Sequence, residues 1–384
     1  MYSFNKLLKA KKRHFLILSA ANIHSGLESL YLETENSQWH IAFKQSIHYP
    51  QYIKDFAVEA LYNPEHTISL KELAKADHAL TFFYKECALQ ILAQAPKANR
   101  STDLVICNGL SAWKGFISEK QTPHYWNIRL GDAQALANSL GIPVLTDFVR
   151  QDILYGGAGN LTISHGDLAI AQKLGDIAVL INIGVASHMA VFDTAASKIV
   201  VNSDTGPGTW LADKAARQAG FDEGFDRDGA TASSGTVDTK SLEALLADEW
   251  FRLPAPKTAD TAVLNRLYEH ASLAGLAPAD KVATLTAFTA LSLCSFYKKE
   301  YTLEKKPDSL WLSGGGTYNL ALIDFIKAYF APLPVRTIDE IGIPNTCRVP
   351  LALGLTVQAY LDRHGAPGGT LPPPEHFGSW AIPC

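Results

Sequence analysis

NSDTGPGTWLAD, residues 202–213, is the stretch on which the reading of this chain turns. The β-branched run 199–201 leads into Asp204, Thr205, Gly206, Pro207 and Gly208, and the small residues Ala212, Ala215 and Ala216 follow at helical spacing. That order predicts strand, tight turn, helix. Such a turn aims backbone N–H groups and a helix N-terminus at one point, and its glycines let an anion come close to the main chain. Phosphate is the expected guest. The same residues could equally do no more than join a strand to a helix, so the stretch alone leaves both readings open.

A second such turn lies late in the chain, in SLWLSGGGTYN at residues 309–319. Three consecutive glycines, Gly314, Gly315 and Gly316, deny the turn any side chain, so a flat ring or a phosphate can lie directly against backbone. Between and before these turns the pattern is mixed α/β. Three β-rich runs, 14–19, 28–33 and 39–45, read as a meander, and apolar residues at helical spacing over 52–61 and 69–95 read as helices covering it. Residues 103–107 form a short buried strand. A helix at 132–140 and a strand at 142–148 follow, and the loop beyond holds Asp147, Arg150, Asp152, Gly156, Gly157 and Gly159. Two acids and an arginine near a glycine-rich turn fit a catalytic edge, and they also fit a solvated loop with an incidental ion pair. Strands at 177–183, 188–192 and 198–201 make a second meander. The helix at 281–298 is core, and a proline- and glycine-rich strap follows the last helix at 350–362.

At 384 residues the chain predicts two lobes, each with its own core. The expected division is 1–128, 129–348 and a terminal helix with an irregular tail over 349–384. Hydrophobic residues make up 47% and charged residues 19%, and the formal charge is −4, which excludes a general nucleic-acid or membrane-surface binder. Small molecules are the expected partners. Cys87, Cys107, Cys294, Cys347 and Cys384 show no CxxC spacing, so no structural zinc and no disulfide framework are expected. Lys9, Lys11, Lys12 and Arg13 before the apolar run 15–18 have a superficial likeness to a secretory signal. The run gives out at Asn22, a first buried strand explains it better, and the protein is expected in the cytoplasm.

This order of elements is similar to the two-lobed actin-like ATPase (ribonuclease H-like) sugar kinase fold, with its ligand cleft between the lobes. Within that fold, residues 102–345 resemble the anhydro-N-acetylmuramic acid kinase family. The resemblance rests on RLGDAQALANSLGIPVLTDFVRQD (129–152), GGAGN (156–160), INIG (181–184), DTGPG (204–208), FDRDG (225–229), PAPKT (254–258), ATLTAFTA (283–290), GGGTYN (314–319) and TIDEIGIP (337–344), in the family's order. It implies ring-opening of an anhydro amino sugar with transfer of the ATP γ-phosphate, giving N-acetylmuramic acid 6-phosphate. One carboxylate must then activate a water at the anomeric carbon. By resemblance that base is Asp152. Asp147, Arg150, Gly156 and Gly157 would bind the sugar, and Asp204, Thr205, Gly206 and Gly208 the phosphates. Gly314, Gly315, Gly316 and Asn319 would lie at the nucleotide. Mg2+ would travel with ATP, held by phosphates and water with no protein metal site. A homodimer is implied as well.

The chain departs from the family at several places. The first phosphate hairpin, a Gly-Thr-Ser loop ending in Asp-Gly, reads LSAANIHSGLES at 18–29, with Ala20 and Ala21 for Gly and Thr and His24 for Asp. His-Gly-Gln-Thr reads Asn108, Gly109, Leu110, Ser111, and the arginine of the Asp-Phe-Arg motif is Val149. Ala158, Leu161, Val185, Val349 and Pro350 are further changes. Three classes of function therefore stay open on sequence: a working sugar kinase, a pseudokinase that binds sugar or nucleotide without turnover, and a scaffold that keeps only the fold.

Overall fold

The computed structural model of the chain describes residues 4–22, 26–36, 38–62, 67–94, 102–119, 122–154, 163–221, 225–365 and 378–383. Two compact units result, Met1–Ala169 with Val349–Cys384, and Ile170–Arg348.

The first unit is built on strand β1 (Lys12–Asn22), which pairs antiparallel with β2 (Gly26–Glu35), and β2 pairs in turn with β3 (Gln38–Ile47). On its other side β1 runs parallel to β4 (Leu104–Asn108). A separate hairpin, β5 (Ser111–Glu119) and β6 (Thr122–Arg129), follows, and β7 (Val144–Thr146) joins the main sheet parallel to β4. The reason for the continuous apolar run at 15–18 is burial on both faces of the sheet. Phe15, Leu16, Ile17 and Leu18 are all 0% exposed. Leu16 and Leu18 share a core with Leu80, Tyr84 and Ile91 of helix Leu70–Gln94. On the opposite face Gly354 of helix Arg348–Gly365 lies so close that a Cβ there would stand 2.5 Å from Ile17 Cδ1. Buried Arg13 ties the two together: Nε donates to the Leu7 carbonyl at 2.9 Å and Nη1 pairs with Asp362 at 2.5 Å.

The second unit repeats the plan. β8 (Ile177–Ile183), β9 (Ala186–Asp193) and β10 (Lys198–Pro207) form an antiparallel meander, β11 (Leu310–Ser313) runs parallel to β8, and β12 (Val335–Thr337) runs parallel to β11. Val179, Ile181 and Met189 on one face of this sheet pack with Ala290 and Leu293 of helix Pro278–Glu300 and with Leu322 and Ile326 of helix Leu320–Phe330. Strand orders β3-β2-β1-β4-β7 and β10-β9-β8-β11-β12 are the same arrangement used twice. That duplicated, ribonuclease H-like sheet is the actin-like ATPase fold expected from the order of elements. No short-period repeat in the sequence reveals it, because the two copies share topology and not residues.

Three expectations need correcting. The unit boundary falls at 169/170, not 128/129, because β7 pairs with β4 and so belongs to the first sheet. Residues 349–384 are not a separate piece: the terminal helix covers β1, and β13 (Ser379–Ala381) pairs antiparallel with the free edge of β7. Arg150 and Asp152 sit not on a loop but on the short helix Phe148–Leu154, which opens when Asp147 takes φ +65° and accepts the Gln151 N–H at 3.0 Å.

Candidate active site

In the second unit three turns far apart in sequence meet at the C-terminal ends of β8 and β11. Gly184 and Val185 turn from β8 into β9, and their carbonyls accept the N–H groups of Thr209 (2.8 Å) and Gly208 (2.9 Å). A Cβ on Gly208 would lie 2.0 Å from the Gly184 carbonyl oxygen, so only glycine fits. The GGGTYN turn closes on the same point: Gly314 has φ +89°, a Cβ on it would be 2.4 Å from the Ile183 carbonyl oxygen, and Gly316 abuts Ile183 and Thr209. Ends of parallel strands are where sheets of this kind bind ligands. The DTGPG stretch is the end of β10 itself, bulged between Asp204 and Gly206, and helix Trp210–Gln218 follows. Its N-cap, Thr209, makes no side-chain capping bond to the helix. The Thr209 hydroxyl therefore does not compete with an anion for the first-turn amides.

The side chains expected at the phosphates have structural work in the described structure. Asp204 is held by His188 Nδ1 at 2.9 Å and by the Ala259 N–H at 2.9 Å, with His188 Nε2 2.8 Å from Asn202 Oδ1. Buried Thr205 donates to the Ser187 carbonyl. Asn319 caps helix Leu320–Phe330 by accepting the Leu322 N–H at 2.9 Å. What the turns present is backbone, which is why a side-chain motif reads them only indirectly. The apolar-looking ATLTAFTA stretch turns out to matter here, since Thr289 Oγ1 donates to the Gly208 carbonyl at 2.7 Å.

Asp213, one helical turn after Thr209, is buried, and burial pushes its carboxyl up to about 6 against the pull of the Thr209 hydroxyl and the Asp226 N–H. An unfolded aspartate titrates near about 3.9. Between these values the folded chain holds a proton that the unfolded chain has lost, so this group's contribution to stability is present below about pH 4 and lost as pH rises through about 6. Asp213→Asn is expected to remove that slope and to raise stability at pH 7 by about 3 kcal/mol, read by urea unfolding at pH 4.5 and 7.

In the first unit, Asp147 is 13% exposed and takes an ion pair from Arg150 Nη2 at 3.2 Å. Arg129, at the end of β6, stands behind it with Nε 3.7 Å from Asp147 and Nη2 donating to Asn108 Oδ1 at 2.9 Å. Burial lowers the Arg129 guanidinium from its ordinary value, against the pull of nearby Asp147. Asp152 is half-buried on the same short helix as Arg150, and Gln151 between them donates to Ser379 Oγ at 2.7 Å. Asp147 and Arg150 are thus joined, and Arg129 is the member of the group that the sequence does not single out. Gly156, Gly157, Ala158, Leu161 and His24 lie outside the described residues. Among the described residues no group of three or more His, Cys, Asp or Glu could hold a metal ion, and no helix is long and apolar enough to cross a membrane.

A family profile described as anhydro-N-acetylmuramic acid kinase matches residues 14–371. The kinase of that name from Rhodopseudomonas palustris is 32% identical over 272 residues, 70% of this chain and 70% of that protein. Those from Caldanaerobacter subterraneus and Salinibacter ruber are 27% and 28% identical, over 77% and 84% of this chain and 76% and 82% of theirs. Among solved structures, the PilM–PilN type IV pilus biogenesis complex aligns with a TM-score of 0.44 at 11% identity, over 90% of this chain and 98% of that one. Component A of the (R)-2-hydroxyglutaryl-CoA dehydratase of Acidaminococcus fermentans aligns with 0.43 at 8%, over 90% and 97%.

Proposed function

The chain belongs to the anhydro-N-acetylmuramic acid kinase family, and from that premise we propose how its residues divide the work of an ATP-dependent sugar kinase. The reaction opens the 1,6-anhydro ring of a cell-wall-derived sugar with water and phosphorylates the freed oxygen, yielding N-acetylmuramic acid 6-phosphate and ADP. This is a step of peptidoglycan recycling. The relatives described above are kinases by name and lend nothing to a pseudokinase or scaffold reading.

The observation that carries the nucleotide assignment is the meeting of the 184–185, 206–209 and 314–316 turns at one point, with glycines wherever a Cβ would strike backbone. ATP fits such a cradle. Gly206, Gly208 and the start of helix Trp210–Gln218 take the phosphates, with Asp204 and Thr205 holding that turn in place. Gly314, Gly315 and Gly316 take the adenosine side, with Asn319 fixing the helix behind them. Mg2+ would travel with ATP and supply positive charge at its phosphates.

Asp152 is the general base. It takes one proton of the attacking water as the water oxygen bonds to C1, the C1–O6 bond breaks, and O6 accepts the γ-phosphoryl group. Asp147 and Arg150 hold the sugar. With ATP as co-substrate the reaction belongs in the cytoplasm. The family suggests a homodimer.

Calorimetric titration with a non-hydrolysable ATP analogue tests the nucleotide site. Binding strengthened by magnesium is expected. No binding with or without magnesium would remove the cradle assignment.

A further inference from the structure

We infer that Arg129 recognises the carboxylate of the sugar substrate. The inference rests on the kinase reading, which supplies a substrate with a lactyl carboxylate.

Arg129 is the least satisfied cation of the candidate site. Its side chain is 6% exposed, and among the described residues Nη2 is the donor atom with an acceptor, Asn108 Oδ1 at 2.9 Å. Among the described residues Nε and Nη1 are enclosed without a hydrogen-bond partner; Asp147 Oδ1, the nearby carboxylate oxygen, is 3.7 Å from Nε and beyond bonding range. A guanidinium stays charged at any pH the protein meets, so enclosed donors of this kind are unfavourable until an acceptor arrives. Asp147 does not fill that role, because its other oxygen is shared with Arg150, leaving two cations on one carboxylate. An oxyanion brought by the ligand completes the set. Arg150, 59% exposed, forms the open rim on the far side of Asp147.

A carboxylate suits the position better than a phosphate. The glycine turns suited to phosphate all lie in the second unit, whereas Arg129 shares the first unit with the residues assigned to the sugar. Nη2 carries two hydrogens and gives one to Asn108; the other lies beside an unpartnered N–H, that of Nε or of Nη1, and such a pair on one planar edge matches the two oxygens of a carboxylate. The departures at Asn108 and Val149 fall at the same place. Asn108 bonds Arg129 directly, and Val149 is two residues from Asp147 in the stretch that would otherwise carry an arginine.

The test is calorimetric binding of 1,6-anhydro-N-acetylmuramic acid and of 1,6-anhydro-N-acetylglucosamine, the same ring without the carboxylate, to the full chain. The unaltered protein is expected to prefer the first by about 30-fold or more. Arg129→Gln should cut that preference below about threefold while leaving affinity for the carboxylate-free sugar unchanged. Arg129→Lys keeps the charge without the fork and should show an intermediate preference; it serves the same comparison if the glutamine variant does not fold. Full preference retained by either variant, or equal loss of affinity for both sugars, would overturn the inference. An unaltered protein that binds neither sugar would overturn the kinase reading together with it.

Discussion

Asp152→Asn is expected to lower sugar-dependent ADP release by about 10²–10⁴-fold and to leave affinity for the ATP analogue within about twofold. The amide keeps the size of the side chain and loses only the ability to accept a proton from water. The two readouts separate because Asp152 is on helix Phe148–Leu154 of the first unit, while the glycine turns assigned to ATP lie between residues 184 and 316 of the second. A loss of nucleotide binding in parallel with turnover would make Asp152 structural, and unchanged turnover would take the role of base from it.

The second large effect is expected from Gly314→Ala. An L-residue at φ +89° is strained, and the added methyl would stand 2.4 Å from the Ile183 carbonyl oxygen, on rigid strand backbone that cannot swing aside. Strain and overpacking together should lower stability by about 2–5 kcal/mol, seen in urea unfolding. Nucleotide affinity should fall at least about tenfold in whatever folds, because Gly314 opens the turn that packs on Ile183 and Thr209. Gly141→Ala is the control: its φ is +65°, but a Cβ there meets nothing within 4 Å, so only the backbone penalty of about 1 kcal/mol applies and nucleotide binding should be spared.

Much of this arrangement is legible in the sequence, and what is missed has physical causes. Long apolar runs such as 15–18 and 177–183 announce buried strands, and DTGPG and GGGTYN announce close backbone approach because glycines are needed where chains nearly touch. The unit boundary is missed because β7 has only three residues and pairs with a strand almost forty positions earlier, a contact that no local pattern records. β13 is missed for the same reason, in a tail without periodicity. Asp204, Thr205 and Asn319 look like ligand-facing polar residues, and their turn into the fold depends on His188, Ser187 and the Leu322 amide, which only tertiary structure brings near. Arg129 opens the RLGDAQ stretch quoted for the resemblance, where the sequence attaches no role to it. Its interest lies in acceptors it lacks, and a sequence cannot show those.

Coupled detection of ADP release, with 1,6-anhydro-N-acetylmuramic acid added to the protein, ATP and magnesium, tests the central claim most directly. The account predicts release that depends on the sugar and matches, mole for mole, the N-acetylmuramic acid 6-phosphate formed. ATP bound with no release when the sugar is present, or release at the same rate without sugar, would contradict it.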